Sequence, residues 1–330
     1  MKFRLVNEVK ESRRKGDGIT SVFDQLLTSK ELLKEYQYDP FALLKEAGYQ
    51  FNADDFLDMT TDSWRALGRG FQIHYAQAYQ KWYAECQKLP SENDFLLADT
   101  VPLKMMLIPP GRYWQGDSES NSSDEQQRRV LISQAFWCGK YEVSQKQWIQ
   151  IMGENPSFFN DGKTKNGLAR PVEEISWNDC KQFCKKAGFR LLTEAEWEYV
   201  CRSGTLGPFF FGNDISTDQV NYNGKYPYYP NGKKGENRRK TIEVGTFPSN
   251  SWGIHDMHGN VEEWCEDGYA ELDEEDVIDP QGKLYATERV IRGGSWVEPA
   301  SYCLSGFRRY VASDSRSFHL GFRVAKSISN

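Results

Sequence analysis

The stretch PVEEISWNDCKQFCKKAGFRLLTEAEWEYVCRSG, residues 171–204, reads as two short capped helices. Ser176-Trp-Asn-Asp179 and Thr193-Glu-Ala-Glu196 each place an oxygen-bearing cap three residues before a side chain that can reach back to the cap amide. Trp177, Cys180, Phe183 and Cys184 fall on one helical face, and Trp197, Val200 and Cys201 on another. Both faces predict core contacts. Upstream, Ser144-Gln-Lys-Gln147 announces a third helix by the same device.

From residue 96 onward, short apolar runs alternate with Gly, Pro, Asn and Asp. Strands are expected near Met105 to Ile108, Arg129 to Phe136, Arg289 to Arg292 and Phe322 to Ala325. Gly259, Gly293 and Gly294 predict tight turns or close backbone approach beside Asn260 and Ser295. The texture before residue 96 differs. Val22, Phe23, Leu26, Leu27, Leu32 and Leu33, and then Trp64, Leu67, Phe71, Tyr75, Tyr79 and Trp82, recur at helical spacing. Asp39-Pro40 and Asn52-Ala-Asp-Asp55 are breaks or caps between them, so three or four helices are expected. The division is therefore 1–95, a helical region that recruits a partner or buttresses the rest, and 96–330, a mixed α+β domain.

The 330 residues, 39% apolar and 14% aromatic with 27 Gly and 13 Pro, suit a compact, turn-rich fold and exclude collagen, coiled-coil and low-complexity classes. With 41 basic and 47 acidic residues the net charge is −6, which provides no general field for a nucleic-acid partner. No signal peptide or membrane span is legible, and seven cysteines, an odd number, fit reduced thiols. A cytoplasmic protein without a membrane partner is expected. Two charged stretches read as solvated loops: residues 225–240 hold six bases and one acid, residues 262–279 ten acids and no base.

Six short motifs in fixed order carry a resemblance across about two thirds of the chain. They are MMLIPPGRYWQGD (105–117), KYEVSQKQW (140–148), the 171–204 stretch, WGIHDMHGNVEEW (252–264), RVIRGGSW (289–296) and GFRVA (321–325). Together they resemble the formylglycine-generating-enzyme, or sulfatase-modifying-factor, family, a variant of the C-type lectin fold. The likeness implies little regular secondary structure, tryptophans in the core and a surface site built from the C-terminal segment. It also implies a structural calcium ion held by Asp256, the carbonyls of Gly259 and Val261, and Glu263. The residues alone also allow a solvated or hydrogen-bonded acidic turn. A second implied calcium site uses Asn221 and the Tyr222 carbonyl, although no aspartate stands clearly downstream in GKKGENRRK.

The enzymes of this family use two copper(I)-binding cysteines five residues apart. Aligned from Gly293-Gly294-Ser295-Trp296, the first position is Glu298 and the second Cys303. One thiolate and a hard carboxylate are a poor copper(I) pair, so copper is not expected. The family's disulfide partners for Cys184 and Cys201 fall at Val324 and Arg308, so both cysteines are expected to be unbridged. A related branch binds iron through three histidines. Here His255 and His258 are three apart, without a visible third partner. There is no GxxxxGK[ST] phosphate loop and no paired CxxC zinc pattern.

Two functions follow. The first is a non-catalytic module that binds a protein or peptide through segment 296–319, where Trp296, Tyr302, Phe307, Arg308, Arg309, Tyr310, Phe318 and His319 concentrate interface-type side chains. This segment is similar to the variable region of retroelement-diversified proteins on the same fold. GGSW, Ala300, Cys303, Arg308, Arg316 and GFR keep that scaffold's spacing. The second is a peptide- or small-molecule-modifying enzyme, with Cys303 as nucleophile or sole thiolate ligand, Glu298 as base, and Ser295 and Trp296 lining the cleft.

Overall fold

A computed structural model describes residues 57–60, 62–66, 68–116, 127–272, 276–283 and 285–328. The description opens at a short strand, β1 (Leu57–Asp58), followed by helices α1 (Asp62–Ala66) and α2 (Arg69–Gln87). Strands β2 (Glu92–Leu97), β3 (Val101–Ile108), β4 (Gly111–Gln115), β5 (Arg128–Ile132) and β6 (Phe136–Gly139) come next. Helices α3 (Gln145–Met152) and α4 (Trp177–Ala187), strand β7 (Arg190–Leu191) and helix α5 (Glu194–Arg202) form the middle. The C-terminal part supplies β8 (Glu262–Gly268), β9 (Val277–Ile278), β10 (Glu288–Arg292), β11 (Arg308–Ala312), β12 (Leu320–Phe322) and β13 (Val324–Ser327). This is the mixed, helix-poor architecture expected of a C-type-lectin-like domain.

All three capping boxes close, with Ser144, Ser176 and Thr193 accepting from the amide three residues on while that residue's side chain returns to the cap. The caps fix where α3, α4 and α5 begin, and their apolar stripes then fix which way each helix faces. The strands form three sheets, ordered β2-β3-β6-β13-β7, β11-β10-β8-β12 and β1-β4-β5-β9. In β3 the side-chain alternation divides the interior. Leu103, Met105 and Leu107 enter one cluster with Trp148, Cys180, Phe183 and Phe322. Met106 and Ile108 enter the other with Tyr79, Trp197 and Trp252. A strand buried on both faces loses the polar half of its pattern, which explains the continuous MMLI run.

The run expected as one strand at 322–325 is two. β12 pairs with β8 and β13 with β6 and β7, and Arg323 stands at the corner between the sheets. The guanidinium of this wholly buried arginine donates to Glu263 Oε1 at 2.7 Å, to the Gly139 carbonyl at 2.9 Å and to the His255 carbonyl at 2.9 Å.

The stripe expected from Trp64 to Trp82 is divided between two helices, Trp64 on α1 and Phe71 to Trp82 on α2, and Tyr75, Ala76, Tyr79 and Trp82 of α2 are buried in the main core. Trp252 Nε1 donates to the Ala76 carbonyl at 3.1 Å, and Gln80 Nε2 to the Leu107 carbonyl at 2.8 Å. The expected boundary at 95/96 needs correction. It cuts β2, which pairs with β3 from Glu92 onward, because the β2–β3 hairpin starts directly after α2. The Val22–Leu33 stripe and the Asp39-Pro40 break lie outside the described residues. The acidic stretch is also corrected: Glu262, Glu263 and Asp267 are buried in β8, a central strand, rather than in a solvated loop.

Candidate functional site

The C-terminal surface is shaped by a turn that needs glycine. Gly294 has φ +64°, and a Cβ there would lie 2.7 Å from the Tyr302 carbonyl oxygen and 2.8 Å from Cys303 Sγ. After the turn the Trp296 amide donates to the Asn260 carbonyl at 3.1 Å. The Ser295 hydroxyl donates to Glu298 Oε2 at 3.1 Å. Glu298 Oε1 is ion-paired with Arg309, whose Nη1 also donates to Glu262 Oε1 at 2.9 Å. His319 Nδ1 stands 3.3 Å from Glu262 Oε2. Ligand atoms of Glu262, Glu298 and His319 all lie within 4.8 Å of one another. Burial pushes the Glu298 carboxyl up, and the Glu262 charge adds to this against the pull of Arg309. Burial alone lowers the His319 imidazole, but Glu262 and Glu298 more than reverse it and the net direction is upward.

An aromatic rim borders this floor. Trp296 lies 5.7 Å from Phe318 and 5.5 Å from Phe159, and Phe158 lies 5.9 Å from Phe318, ring centre to ring centre. Phe158 and Phe318 are exposed, whereas Trp296 is only 8% exposed and acts as a wall. The Phe158 and Phe159 amides donate to the two oxygens of Glu173, at 2.9 and 2.7 Å. Phe158, Phe159 and Glu262 were not singled out from the sequence. Aromatic letters in a loop and the first acid of an acidic run carry no local signal of the surface they join.

The other expected contact residues are distributed differently. Tyr302 stacks 4.8 Å from Phe307, with the Arg309 guanidinium 5.7 Å from the Tyr302 ring. Tyr310 packs at 4.0 Å on Tyr269 instead of on Trp296. Arg308 is buried and donates through Nε and Nη2 to both oxygens of Glu194.

Cys303 is fully buried, and burial together with the Glu298 and Glu262 charges pushes its thiol well above the usual range. Its carbonyl accepts from His258 Nδ1 at 2.6 Å, while His258 Nε2 accepts the Phe210 amide at 3.2 Å. A carbonyl can only accept and an amide only donate, so the imidazole proton sits on Nδ1. Burial pushes this histidine down to about 4. His255 turns to the Phe247 carbonyl at 2.7 Å, so the two histidines do not converge on a common ligand.

The turn carrying the expected calcium ligands is tightly wound, with Asp256, Gly259 and Asn260 all at positive φ. Asp256 Oδ2 accepts the Gly245 amide at 2.6 Å, and burial pushes its carboxyl up to about 6. Glu263 receives Arg323 and the Trp197 indole N–H. Glu142, also buried, is raised by burial and by the charges of Asp256 and Glu263. Three buried carboxyl groups thus gather around the single Arg323 guanidinium, and burial and their mutual repulsion raise Asp256 and Glu142 toward the protonated form. A β-bridge joins Gly259 to Asn221. Asn221 Nδ2 donates to the Lys240 carbonyl and to Asn260 Oδ1, but its buried Oδ1 has no hydrogen-bond partner. Tyr222 is buried beside it, its hydroxyl on the Ile215 carbonyl. An orphaned amide oxygen and a group of buried carboxyl oxygens both fit a hard cation.

Residues 97–328 match the family described as "Sulfatase-modifying factor enzyme 1-like domain". The formylglycine-generating enzyme of Bos taurus is 32% identical over 268 residues, 76% of this chain and 65% of that protein. The mouse enzyme of the same name is 35% identical, covering 54% of this chain and 50% of that protein. The chain thus spans less than two thirds of the length of these two relatives. The inactive C-alpha-formylglycine-generating enzyme 2 of Bos taurus is 34% identical, covering 64% of this chain and 66% of that one. Among solved structures, Treponema denticola variable protein 1 superposes with TM-score 0.63 at 26% identity over 72% of this chain and 100% of that chain. PvdO from Pseudomonas aeruginosa gives TM-score 0.58 at 26% identity over 72% and 98%.

Proposed function

The chain belongs to the sulfatase-modifying-factor family, and from that premise we propose that it is a non-catalytic binding module whose ligand, a protein or peptide, docks at the C-terminal face. One observation carries the reading. Where the resemblance implies a pair of copper(I) thiolates, Glu298 is ion-paired with Arg309 and the Cys303 thiol is buried and held protonated. Nucleophilic and soft-metal chemistry both require a thiolate. The likeness to an inactive relative and to a variable protein supports the same reading.

Trp296, Phe318 and Phe159 with Phe158 supply rigid apolar walls, and Arg309, Glu298 and His319 supply polar contacts, the mixture found at interface hot spots. Tyr302, Phe307 and Tyr310 extend the surface along the segment. Diversification of 296–319 would appear in the surrounding DNA as a near-copy template beside a reverse-transcriptase gene. Structural calcium belongs to the proposal, with Asp256, Glu263 and the Gly259 and Val261 carbonyls as one ligand set and Asn221 with the Tyr222 carbonyl as the other. Calcium would offset the buried acids and brace the turn from which β8 starts. Residence in the cytoplasm, supported by seven unbridged cysteines, completes it.

Two measurements test the reading. Full-length protein incubated with copper(I), oxygen and a sulfatase-type CxPxR peptide is expected to form no aldehyde, and turnover that disappears in Cys303→Ala would overturn the proposal. A displayed peptide library panned on the same protein should yield binders whose affinity falls at least tenfold in Phe318→Ala. Binders indifferent to Phe318→Ala and Phe158→Ala would place the docking surface elsewhere.

A further inference from the structure

We propose that Glu262, Glu298 and His319 form a binding site for a divalent transition-metal ion of the zinc or cobalt(II) type, separate from both calcium ligand sets. Two carboxylate oxygens and one imidazole nitrogen suit such an ion, whereas the imidazole disfavours calcium and magnesium, which take oxygen ligands.

The cluster has the marks of a site beyond its composition. Glu262 is 2% exposed, yet its Oε2 has no hydrogen-bond partner, and neither has the buried Nδ1 of His319 that faces it at 3.3 Å. The two face each other as an ion pair without hydrogen-bond alignment, and a cation bound by both would satisfy the buried oxygen and nitrogen together. Arg309 takes the Oε1 atoms of Glu262 and Glu298, which leaves Glu262 Oε2 to face His319. The Ser295 hydroxyl on Glu298 Oε2 uses one lone pair of that oxygen and orients the other. Arg309 and Ser295 thus do for these carboxylates what outer partners do in metal centres. Two carboxylates and one guanidinium leave one negative charge, which a divalent ion converts to one positive charge. Bonds of about 2.0–2.2 Å set tetrahedral ligand atoms roughly 3.4 Å apart, so atoms now within 4.8 Å of one another must close by up to about 1.4 Å, a movement open to the partly exposed side chains of Glu298 and His319. His319 and Glu298 lie at the partly exposed side of the cluster, so a coordination position stays open toward the aromatic rim.

The test needs no ligand or partner, so its failure leaves the binding-module reading standing. Full-length protein carrying Cys86→Ser, which removes an exposed thiol, is stripped with chelator, returned to excess calcium and titrated with cobalt(II). Visible d–d absorption and calorimetry with zinc report binding. One ion per chain is expected, with affinity reduced about a hundredfold or more in His319→Ala and in Glu298→Gln. Circular dichroism confirms that both variants fold. Absence of binding at millimolar metal, or binding unchanged in both variants, overturns the proposal. The first outcome would mean that a protonated His319 itself serves as the cation facing Glu262.

Discussion

Glu173→Gln offers a quantitative test of how the aromatic rim is held. Glu173 is fully buried, and its two oxygens receive the Phe158 and Phe159 amides. Burial pushes its carboxyl up to about 7 from an ordinary 4.5; the two amides and Lys163 pull it back, and the Glu174 charge adds to the rise. The folded chain therefore binds more protons than the unfolded chain between those two values, so stability from this group is greatest below about pH 4.5. It falls as pH rises, by roughly 3 kcal/mol once pH 7 is passed, at about 1.4 kcal/mol per pH unit. Glutamine keeps one acceptor for the two amides and carries no charge. It loses a charge-assisted hydrogen bond worth about 1.5–3 kcal/mol but is relieved of the buried charge. Near pH 7.5 the two effects should leave the variant within about 2 kcal/mol of the parent. Near pH 5 the parent has regained most of its stability while the variant has not changed, so the difference between them should shift in the parent's favour by about 2.4 kcal/mol. Urea unfolding followed by tryptophan fluorescence at several pH values measures this directly. Asp256 and Asp267, raised to about 6 and about 7, titrate in the same window in both proteins and cancel in the difference. Parallel stability profiles for parent and variant would refute the argument and mean that Glu173 does not titrate as its burial requires.

Trp252→Ala should cost about 3–5 kcal/mol, because a fully buried indole that also anchors α2 through the Ala76 carbonyl is removed. A loss below about 1 kcal/mol in chemical denaturation would show that α2 is not integral to the core. Gly294→Ala should cost at least about 2 kcal/mol, combining a left-handed backbone with a contact against the Tyr302 carbonyl; an unchanged unfolding midpoint would remove that turn as a determinant of the site. Chelation of calcium should lower the melting temperature, the stabilisation being about 2.7 kcal/mol at a hundredfold excess over Kd. Asn221→Leu should reduce that calcium response, and a melting curve indifferent to chelator and variant alike would exclude calcium.

Local features of the fold were legible because their signals are local. A capping box needs four consecutive residues, so Ser144, Ser176 and Thr193 could be read as helix starts and proved to be so. Glu262 could not be read as a site residue. Its role depends on β8 pairing with β10 and β12 and on β10 pairing with β11, which sets it near Arg309 and His319, 47 and 57 positions further along the chain by number. Phe158 and Phe159 reach the rim through Glu173, a buried carboxylate that looks in the sequence like half of a surface acid pair. Charge runs mislead for a related reason. An acid enters a core when a distant guanidinium meets it, as Arg323 meets Glu263 across a corner between two sheets.

The domain stays closed without bridges at Cys184 and Cys201. The position at which the family likeness put a partner for Cys201 holds Arg308, which joins β11 to the first residue of α5 through a buried two-oxygen pairing with Glu194. Arg292 on β10 is paired with Glu198 one turn further along that helix, and Arg202 meets Glu198 as well. A single helix is thus tied to two neighbouring strands by planar, directional contacts. Replacing such a buried pair with well-packed apolar residues can be neutral or better, whereas removing one member leaves an uncompensated charge at a cost of about 3–5 kcal/mol. The network is therefore weak as a net source of stability and strong as a constraint on register. It fixes α5 so that Trp197 reaches Glu263, and it fixes β11 so that Arg309, the next residue, reaches Glu262 and Glu298. A disulfide from α5 to β11 would constrain the same two elements only under oxidising conditions, whereas these ion pairs hold the site's geometry whatever the redox state.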